Sequence, residues 1–213
     1  MDKTSFKEIK LLDNSLIARS PILVVGPGPG QVGGVTTFIR ILTTSPVVAE
    51  KYELIHLDTS RDEPDFASAG RFDLRNLSYF LKQAFQLIKI AARHHPRIMH
   101  LAVTSGLSFW KISAFLLIGK LFGIRIVAHL HGGGMRKYFL MQAAPVQHII
   151  GWVLKCADVV IALSRQWQLF LLNEVRSDLN VVVIENTIDS DFAAENEKDD
   201  YPKRQDRVFM SLS

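Results

Sequence analysis

Short apolar runs alternate with longer amphipathic stretches along the chain from residue 21 onward. Six of these runs are rich in valine, isoleucine and leucine, as expected of strands that are buried on both faces of a sheet. Continuous apolar strands of this kind are typical of parallel sheets. The predicted strands are Ile22–Val25, Tyr52–Leu57, Ile98–Val103, Arg125–Leu130, Val159–Leu163 and Val181–Ile184.

The stretches between these strands repeat apolar residues three and four positions apart, which is the period of an amphipathic helix. The predicted helices are Gly34–Thr44, Arg71–His94, Ser108–Phe122, Val146–Lys155 and Arg165–Val175. In the longest one the expected buried stripe is Leu77, Phe80, Leu81, Ala84, Phe85, Ile88 and Ala92. Strands that alternate with helices predict an α/β fold, a Rossmann-like parallel sheet with helices on both faces.

The two ends of the chain do not fit this alternation. Residues 1–20 are interrupted by charges and are expected to form a leader or an edge element, so that the Rossmann-like domain covers residues 21–189. Residues 190–206 are dense in charge and predict a linker. Apolar residues resume at 207–213, which predicts the first strand of a second domain that is missing from the chain.

Composition adds a mild basic bias. Lys and Arg total 25 against 21 Asp and Glu, for a formal net charge of +4. This charge suits a phosphate-bearing ligand or an anionic membrane surface, whereas the absence of a basic run excludes an obvious nucleic-acid patch.

The cysteine count and the hydropathy of the sequence indicate the cellular compartment of the protein. The single cysteine, Cys156, excludes an internal disulfide or a cysteine-cluster metal site. The most apolar segment, Ile112–Gly119, is far shorter than the ~20 residues needed to cross a bilayer. The first twenty residues are too charged for a signal peptide. The sequence therefore predicts a cytoplasmic protein.

A glycine-rich loop follows the first predicted strand. Gly28, Gly30 and Gly33 fit the G-x-G-x-x-G pattern, and Asp58 ends the second strand, as in dinucleotide-binding proteins. An NAD(P)-dependent oxidoreductase is therefore one open hypothesis. Alternatively, Gly33 and Gly34 let another phosphate approach the free N–H groups of the helix that begins there, or simply form a tight turn. A Walker A loop is excluded, because no Lys-Ser or Lys-Thr pair follows.

The fourth predicted strand ends in two histidines and three glycines. His129 and His131 are two residues apart and share one face of the strand. His131 is nearer the tip, and Gly132 after it leaves space for a ligand. An imidazole there can hydrogen-bond a sugar hydroxyl or a phosphate and can charge near neutral pH. A core histidine is the alternative, favoured for His129, and a metal pair is disfavoured because no third ligand is evident nearby.

Polar residues beside these two loops are further candidates for substrate binding. Thr104 and Ser105 follow the third predicted strand and offer hydroxyl groups. Arg136 and Lys137 follow the histidine segment and can meet an acceptor phosphate through charge-assisted hydrogen bonds. A solvated basic face is the alternative for this pair.

Five segments taken together resemble the amino-terminal domain of GT-B-fold retaining glycosyltransferases of family 4. Their order and spacing along one domain carry the resemblance, which spans Pro21 to Asp189, and a hydride-transfer enzyme does not predict the HLHGGG segment. The segments are GPGPGQVGGVTTF, IMHLAVTSGLSFWK, RIVAHLHGGGMRKYF, CADVVIALSRQWQLF and VVVIENTID.

The resemblance assigns roles to individual residues. It implies that Gly33 and Gly34 line the cleft near the donor diphosphate, and that His131 faces the transferred sugar as the catalytic histidine. It also implies that Asn186 and Asp189 lead into an interdomain hinge, next to a glutamate where the family usually has proline.

The resemblance also implies a function. A family-4 enzyme transfers a hexosyl group from a sugar nucleotide to a glycan or lipid-linked acceptor with retention, here expected in polysaccharide biosynthesis. It needs no metal and no cofactor, because the sugar nucleotide is a co-substrate. An anionic membrane surface is a further expected partner. Since the donor-binding residues belong to a second domain, the 213-residue chain alone is expected to be inactive. A non-catalytic interaction module with the same fold is the third hypothesis.

Overall fold

The computed structural model describes residues 21–28, 33–60 and 74–185. In these ranges six strands form one sheet in the order β2-β1-β3-β4-β5-β6, and every neighbouring pair is parallel. The predicted α/β fold with a parallel sheet is therefore confirmed. The strands are β1 (Ile22–Gly26), β2 (Leu54–Asp58), β3 (Ile98–Val103), β4 (Arg125–Leu130), β5 (Val159–Ala162) and β6 (Val181–Val183).

Seven α-helices lie in the same ranges of the chain, followed by a π-helical turn at Leu171–Val175. That turn replaces the second half of the single helix predicted for Arg165–Val175. Two short helices, α2 (Pro46–Lys51) and α5 (Gly134–Leu140), are not among the predicted ones. The helices are α1 (Gly34–Thr44), α2 (Pro46–Lys51), α3 (Leu74–His94), α4 (Leu107–Leu121), α5 (Gly134–Leu140), α6 (Ala144–Cys156) and α7 (Arg165–Phe170).

Several predictions fall outside the described residues. They are the leader at 1–20, the linker at 190–206, the added strand at 207–213, Gly30 of the glycine loop, the predicted first turn of α3 at 71–73, and the hinge residues Asn186 and Asp189.

The two faces of the sheet carry different side chains because successive residues of a strand point to opposite sides. On β4, Ile126, Ala128 and Leu130 join a large core that includes residues of α3, α4, α6 and α7. On the opposite face Val24 and Ala102 pack against Ile39 of α1. The predicted placement of helices on both faces is therefore confirmed, and α1 shares its face with His100 and His129.

The predicted buried stripe of α3 is wrong in part. The described side chains that turn towards the core are Phe80, Gln83, Ala84, Leu87, Ile90 and Ala91, whereas Leu77, Leu81, Phe85, Ile88 and Ala92 of the predicted stripe are exposed. Apolar residues cover more of the helix than the single face that the sheet and α4 can bury. The sequence pattern could not show which part of that wide apolar surface would face inward.

None of the helices in the described part of the chain combines the length and the hydropathy that a membrane crossing requires.

Candidate functional site

The carboxyl ends of β1, β3 and β4 lie at one edge of the sheet, because all three strands run in the same direction. His131 extends the pairing of β3 and β4 by one residue beyond β4. Its backbone N–H donates to the carbonyl oxygen of Val103 at 2.7 Å. The residue that the sequence singled out is therefore fixed to the tip of the neighbouring strand.

The aromatic ring of Phe38 connects the glycine-loop segment to this strand tip. Phe38 lies on α1, one turn after Gly34, and its ring centroid is 4.9 Å from that of His131 and 4.8 Å from that of His129. The glycine segment and the histidine segment thus belong to the same edge and the same face of the sheet. Phe38 fills the space between the base of α1 and the two imidazoles.

The backbone above this packing is open. An added Cβ would have no heavy atom within 4 Å at Gly33, Gly34, Gly132 or Gly133. Gly132 also has a φ of +93°, a conformation that a residue with a side chain rarely adopts. The structure therefore brings Gly33, Gly34 and Gly132 to one accessible edge, where a ligand can approach the main chain closely.

A third histidine, which the sequence analysis did not single out, completes the cluster. His100 on β3 points to the same face, and its Nε2 lies 3.2 Å from Nδ1 of His129, so that the two rings share one hydrogen bond. The sequence could have indicated His100, because side chains two positions apart on a strand lie on the same face of the sheet, and His100 is two positions before Ala102. The pairing of Ala102 with His129 across the sheet required the observed register.

Burial keeps all three imidazoles neutral near pH 7. It lowers the pKa of His100 to about 4, of His129 to about 3 and of His131 to about 4, and repulsion from His131 contributes to the first two. The expectation that His131 charges near neutral pH is therefore wrong, because its side chain is removed from water: only 3% of the residue is exposed.

The cluster leaves polar atoms without partners within the described part of the protein. They are Nδ1 of His100 and Nε2 of both His129 and His131. A neutral imidazole has one donor and one acceptor nitrogen, so these rings retain hydrogen-bonding capacity. An unpaired buried polar group costs ~1–3 kcal/mol, which a hydroxyl or phosphate oxygen that reached it would recover.

The hydroxyl-bearing tip of β3 adjoins the histidine segment. Thr104 and Ser105 are half-buried, and a Cβ on Gly134 would lie 3.1 Å from Oγ of Ser105. The hydroxyl group of Ser105 thus lies beside the glycine segment that begins α5.

The two predicted cations lie on the surface of α5. Arg136 makes a fork-shaped ion pair with Glu174 of the π-helical turn, with Nη2 2.8 Å from Oε1, whereas Lys137 is exposed. No sequence pattern indicates Glu174 as the partner of Arg136, because the two residues are distant along the chain. Arg136 can meet an acceptor phosphate only in competition with this carboxylate.

Asp58, the residue on which the dinucleotide hypothesis depends, supports the glycine loop instead. Its Oδ1 accepts hydrogen bonds from the backbone N–H groups of Gly28 at 2.6 Å and Ser60 at 2.7 Å. Burial raises the pKa of this carboxyl, but the hydrogen bonds from Ser60 and Gly28 outweigh it, and the net shift is downward. An oxygen that already accepts two N–H groups is poorly placed to receive a ribose hydroxyl.

One concavity lies away from this edge of the sheet, and the described residues include no group that could hold a metal ion. A shallow concavity at the opposite edge is lined by residues that include Arg97, Phe122 and Arg125, none of which the sequence analysis proposed. Within residues 21–28, 33–60 and 74–185, no three or more His, Cys, Asp or Glu side chains are grouped so that they could hold a metal ion.

Comparison with known proteins gives one family and many similar solved structures, two of which are described below. Residues 32–192, well over half of the chain, match the model of Glycosyltransferase Family 4. No curated protein matches the chain.

Both solved structures are of sucrose-phosphate synthase from Thermosynechococcus elongatus. The first has a TM-score of 0.57 at 15% identity, and the match covers 80% of this chain and 49% of the synthase chain. The second has a TM-score of 0.51 at 15% identity, with coverages of 84% and 96%. This chain thus spans about half the length of the first synthase, and the likeness shows that the two share a fold.

Proposed function

The chain belongs to glycosyltransferase family 4, and on that premise we propose that it forms the acceptor-side domain of a retaining enzyme. The proposed reaction moves a hexosyl group from a sugar nucleotide to a glycan or lipid-linked acceptor in polysaccharide biosynthesis. The proposed location is the cytoplasm, at the inner face of the membrane.

The convergence of Gly33, Gly34 and His131 at one edge supports this proposal most strongly. The open main chain at the start of α1 presents free N–H groups and the positive end of the helix dipole, which favour a diphosphate. In the proposed reaction the diphosphate is the leaving group, so stabilising its charge lowers the barrier without a protein nucleophile.

His131 is proposed to act as a neutral hydrogen-bonding partner of the transferred sugar. Its low pKa means that the ring offers one donor and one acceptor at pH 7 rather than a positive charge. Because the ring is shielded from water, a hydrogen bond to a sugar hydroxyl there is stronger than in solvent. Nε2 of His131 is buried in this structure, so a sugar reaches it only if the segment that begins at Gly132 moves aside.

The acceptor is proposed to bind between the tip of β3 and α5. Thr104 and Ser105 offer hydroxyl groups to a sugar, and Arg136 with Lys137 offers positive charge to a phosphate of a lipid-linked acceptor. In this proposal the phosphate displaces Glu174 from Arg136. Exposed ion pairs contribute only ~0–1 kcal/mol, so such an exchange costs little.

Turnover is proposed to require donor-binding groups on a second domain. The match covers 49% of the first synthase chain, and the resemblance to family 4 implies that the donor-binding residues lie in a second domain. The 213-residue chain alone is expected to bind donor weakly and to turn over negligibly, and Asn186 and Asp189 are proposed to lead into the hinge.

Calorimetric titration of the 213-residue chain tests the proposed ligand class. Nucleoside diphosphates are compared with NADH at equal concentration, using the wild-type chain and a variant with Gly33→Val and Gly34→Val. Binding of a nucleoside diphosphate that the variant loses supports the proposal. Tighter binding of NADH, or diphosphate binding that the variant retains, contradicts it.

A transfer assay on an enzyme that joins this chain to a donor-binding domain tests the role of His131. His131→Ala is expected to lower kcat by ~10²–10³-fold, the usual loss when a group that stabilises the transition state is removed. His148→Ala, at an exposed histidine of α6, is the matched control. Equal activity in the two variants contradicts the proposed role.

A further inference from the structure

A stripe of large apolar side chains on α3 faces solvent. It consists of Leu77, Leu81, Phe85 and Ile88, which are 50%, 56%, 61% and 40% exposed and follow one another at intervals of four, four and three residues. This spacing keeps all four on one side of the helix. We call this surface the α3 stripe.

The α3 stripe is additional to the face that α3 uses to pack on the domain. Leu87 and Ala91 are buried in the core, and the ring of Phe80 stacks on Phe115 of α4 with centroids 5.7 Å apart. Folding of the described domain is therefore served by other residues of the helix. Contiguous exposed apolar side chains of this size are typical of a surface that binds something.

The charged residues of α3 itself that lie beside the stripe have one sign. Lys82, Lys89 and Arg93 are exposed on the adjoining side of α3, and the sequence of residues 74–94 contains no Asp or Glu. Nζ of Lys89 lies 5.4 Å from the centroid of the Phe85 ring, at the border between the two surfaces. An apolar face next to a purely cationic one is the pattern of a helix that lies in a membrane interface.

We propose that the α3 stripe, with Lys82, Lys89 and Arg93, docks this protein on an anionic lipid bilayer. The apolar side chains would enter the interface while the cations meet lipid phosphates, each contributing through the negative surface potential. A second copy of the chain is a poorer occupant, since a symmetric pair would bring two cationic rows together. A polar protein surface would leave the apolar side chains poorly matched.

The position of α3 relates this surface to the candidate site. β2 ends at the edge that carries the site, and α3 runs from that side of the sheet to His94, just before β3 begins at the opposite edge. The end of the stripe at Leu77 is therefore the end nearer the site. A lipid-linked acceptor would then be presented to the site from the membrane on which the protein docks, and this part of the inference rests on the proposed function. Lipid binding by the α3 stripe does not depend on the proposed function.

Co-sedimentation of the 213-residue chain with vesicles tests the proposal. Neutral vesicles of phosphatidylcholine are compared with vesicles that also contain phosphatidylglycerol, at low and at high salt. The expected result is binding to the anionic vesicles that weakens as salt rises, because salt screens the lipid charge. No binding to anionic vesicles, or equal binding to both kinds, would overturn the proposal.

Charge variants separate the α3 cations from net charge. K82E with K89E is expected to lower partitioning by about tenfold or more, since each cation near an anionic surface contributes a several-fold gain. K51E with R97E changes the net charge equally at exposed positions elsewhere and serves as the control. An equal loss in both double variants would overturn the assignment to α3.

Apolar variants test the α3 stripe at constant charge. Leu81→Ser with Phe85→Ser is expected to lower partitioning by about tenfold through lost apolar burial. Leu121→Ser, at the 87% exposed end of α4, is the control and should bind as wild type does. A dimer that dissociates in the Leu81→Ser, Phe85→Ser variant, without vesicle binding by wild type, would assign the stripe to a second copy instead.

The vesicles hold neither donor nor acceptor, so failure of the proposed reaction would leave this result unchanged. Loss of vesicle binding with intact nucleotide binding would overturn the docking surface alone.

Discussion

The ring of Phe38 on α1 lies 4.9 Å from the ring of His131, which follows β4. This contact ties the helix that begins at Gly34 to the strand tip that carries the histidine cluster, although β3 separates β1 from β4 in the sheet. The same ring contacts His129 and lies 5.7 Å from His100. Phe38 therefore helps to fix the distance between the glycine segment and the histidine segment, and it shields the three imidazoles from water.

Phe38→Ala should lower the free energy of unfolding by about 2–4 kcal/mol. This is less than the ~3–5 kcal/mol expected for a fully buried phenylalanine, because Phe38 is half-buried. Water entering the space would also raise the pKa values of the three histidines towards their ordinary value. Urea unfolding and NMR titration of the imidazoles measure the two effects. Phe38→Leu should retain most of both, and unchanged histidine pKa values in Phe38→Ala would contradict this account of the cluster.

The histidine cluster should make the domain sensitive to acid. Because the pKa values of these histidines in the folded protein lie at about 3 to 4, below the ordinary 6.5, the unfolded chain binds protons that the folded domain does not as pH falls below 6.5. Stability is therefore full above pH 6.5 and declines towards pH 4, by up to about 1.4 kcal/mol per pH unit for each histidine. Urea unfolding at pH 7 and pH 5 measures this slope.

A matched pair of variants assigns the acid sensitivity to the cluster. His129→Leu should reduce the decline in unfolding free energy between pH 7 and pH 5 by about a third, because His100 and His131 still contribute to it. His148→Leu, at an exposed position, should leave the slope as it is in wild type. Equal slopes in the two variants would place the acid sensitivity elsewhere.

Gly28→Ala should destabilise the glycine loop. An added Cβ would lie 2.0 Å from Oδ2 of Asp58, so either the carboxylate or the loop must move, and the hydrogen bond from Gly28 N–H to Asp58 would be lost. A hydrogen bond to a charged group is worth about 1.5–3 kcal/mol, which sets the expected loss in unfolding free energy. Gly34→Ala is the control, because an added Cβ there meets no atom within 4 Å. Equal stability of the two variants would show that Asp58 does not hold the loop.

Glu174→Gln should separate the structural role of Arg136 from its proposed binding role. Loss of this exposed ion pair should change the unfolding free energy by less than about 1 kcal/mol. If Arg136 binds an acceptor phosphate, the variant should bind a phosphorylated acceptor as tightly as wild type or more tightly, while Arg136→Gln binds it more weakly. Weaker binding in Glu174→Gln would mean that the ion pair itself positions the acceptor.

The strands could be predicted because each is a continuous apolar run, which a sheet buried on both faces requires. The short helices could not be predicted: α2 begins at Pro46 directly after α1, and α5 begins at Gly134, a residue type that does not favour a helix. Six or seven residues are too few for an apolar period to emerge. In α3 the apolar period is clear, but periodicity does not distinguish a stripe that faces the core from one that faces solvent. The sequence therefore predicts burial for apolar residues that the structure exposes.

Some residues of the candidate site could likewise be predicted from the sequence and others could not. Gly33, Gly34 and His131 could be proposed from the sequence because strand-end loops converge in a parallel sheet. His100, Phe38 and the partner of Arg136 depend on strand register and helix packing, which join residues distant along the chain. The low pKa of His131 also follows from packing, because the sequence alone does not show how completely α1 covers the ring.

An NMR titration of the ¹⁵N-labelled chain with a nucleoside diphosphate tests the central claim most directly. If the two segments form one site, the amide signals of Gly33 and Gly34 and the signals of His131 and Gly132 should shift together with a single Kd. Shifts confined to one segment, or two different dissociation constants for the two segments, would contradict the claim.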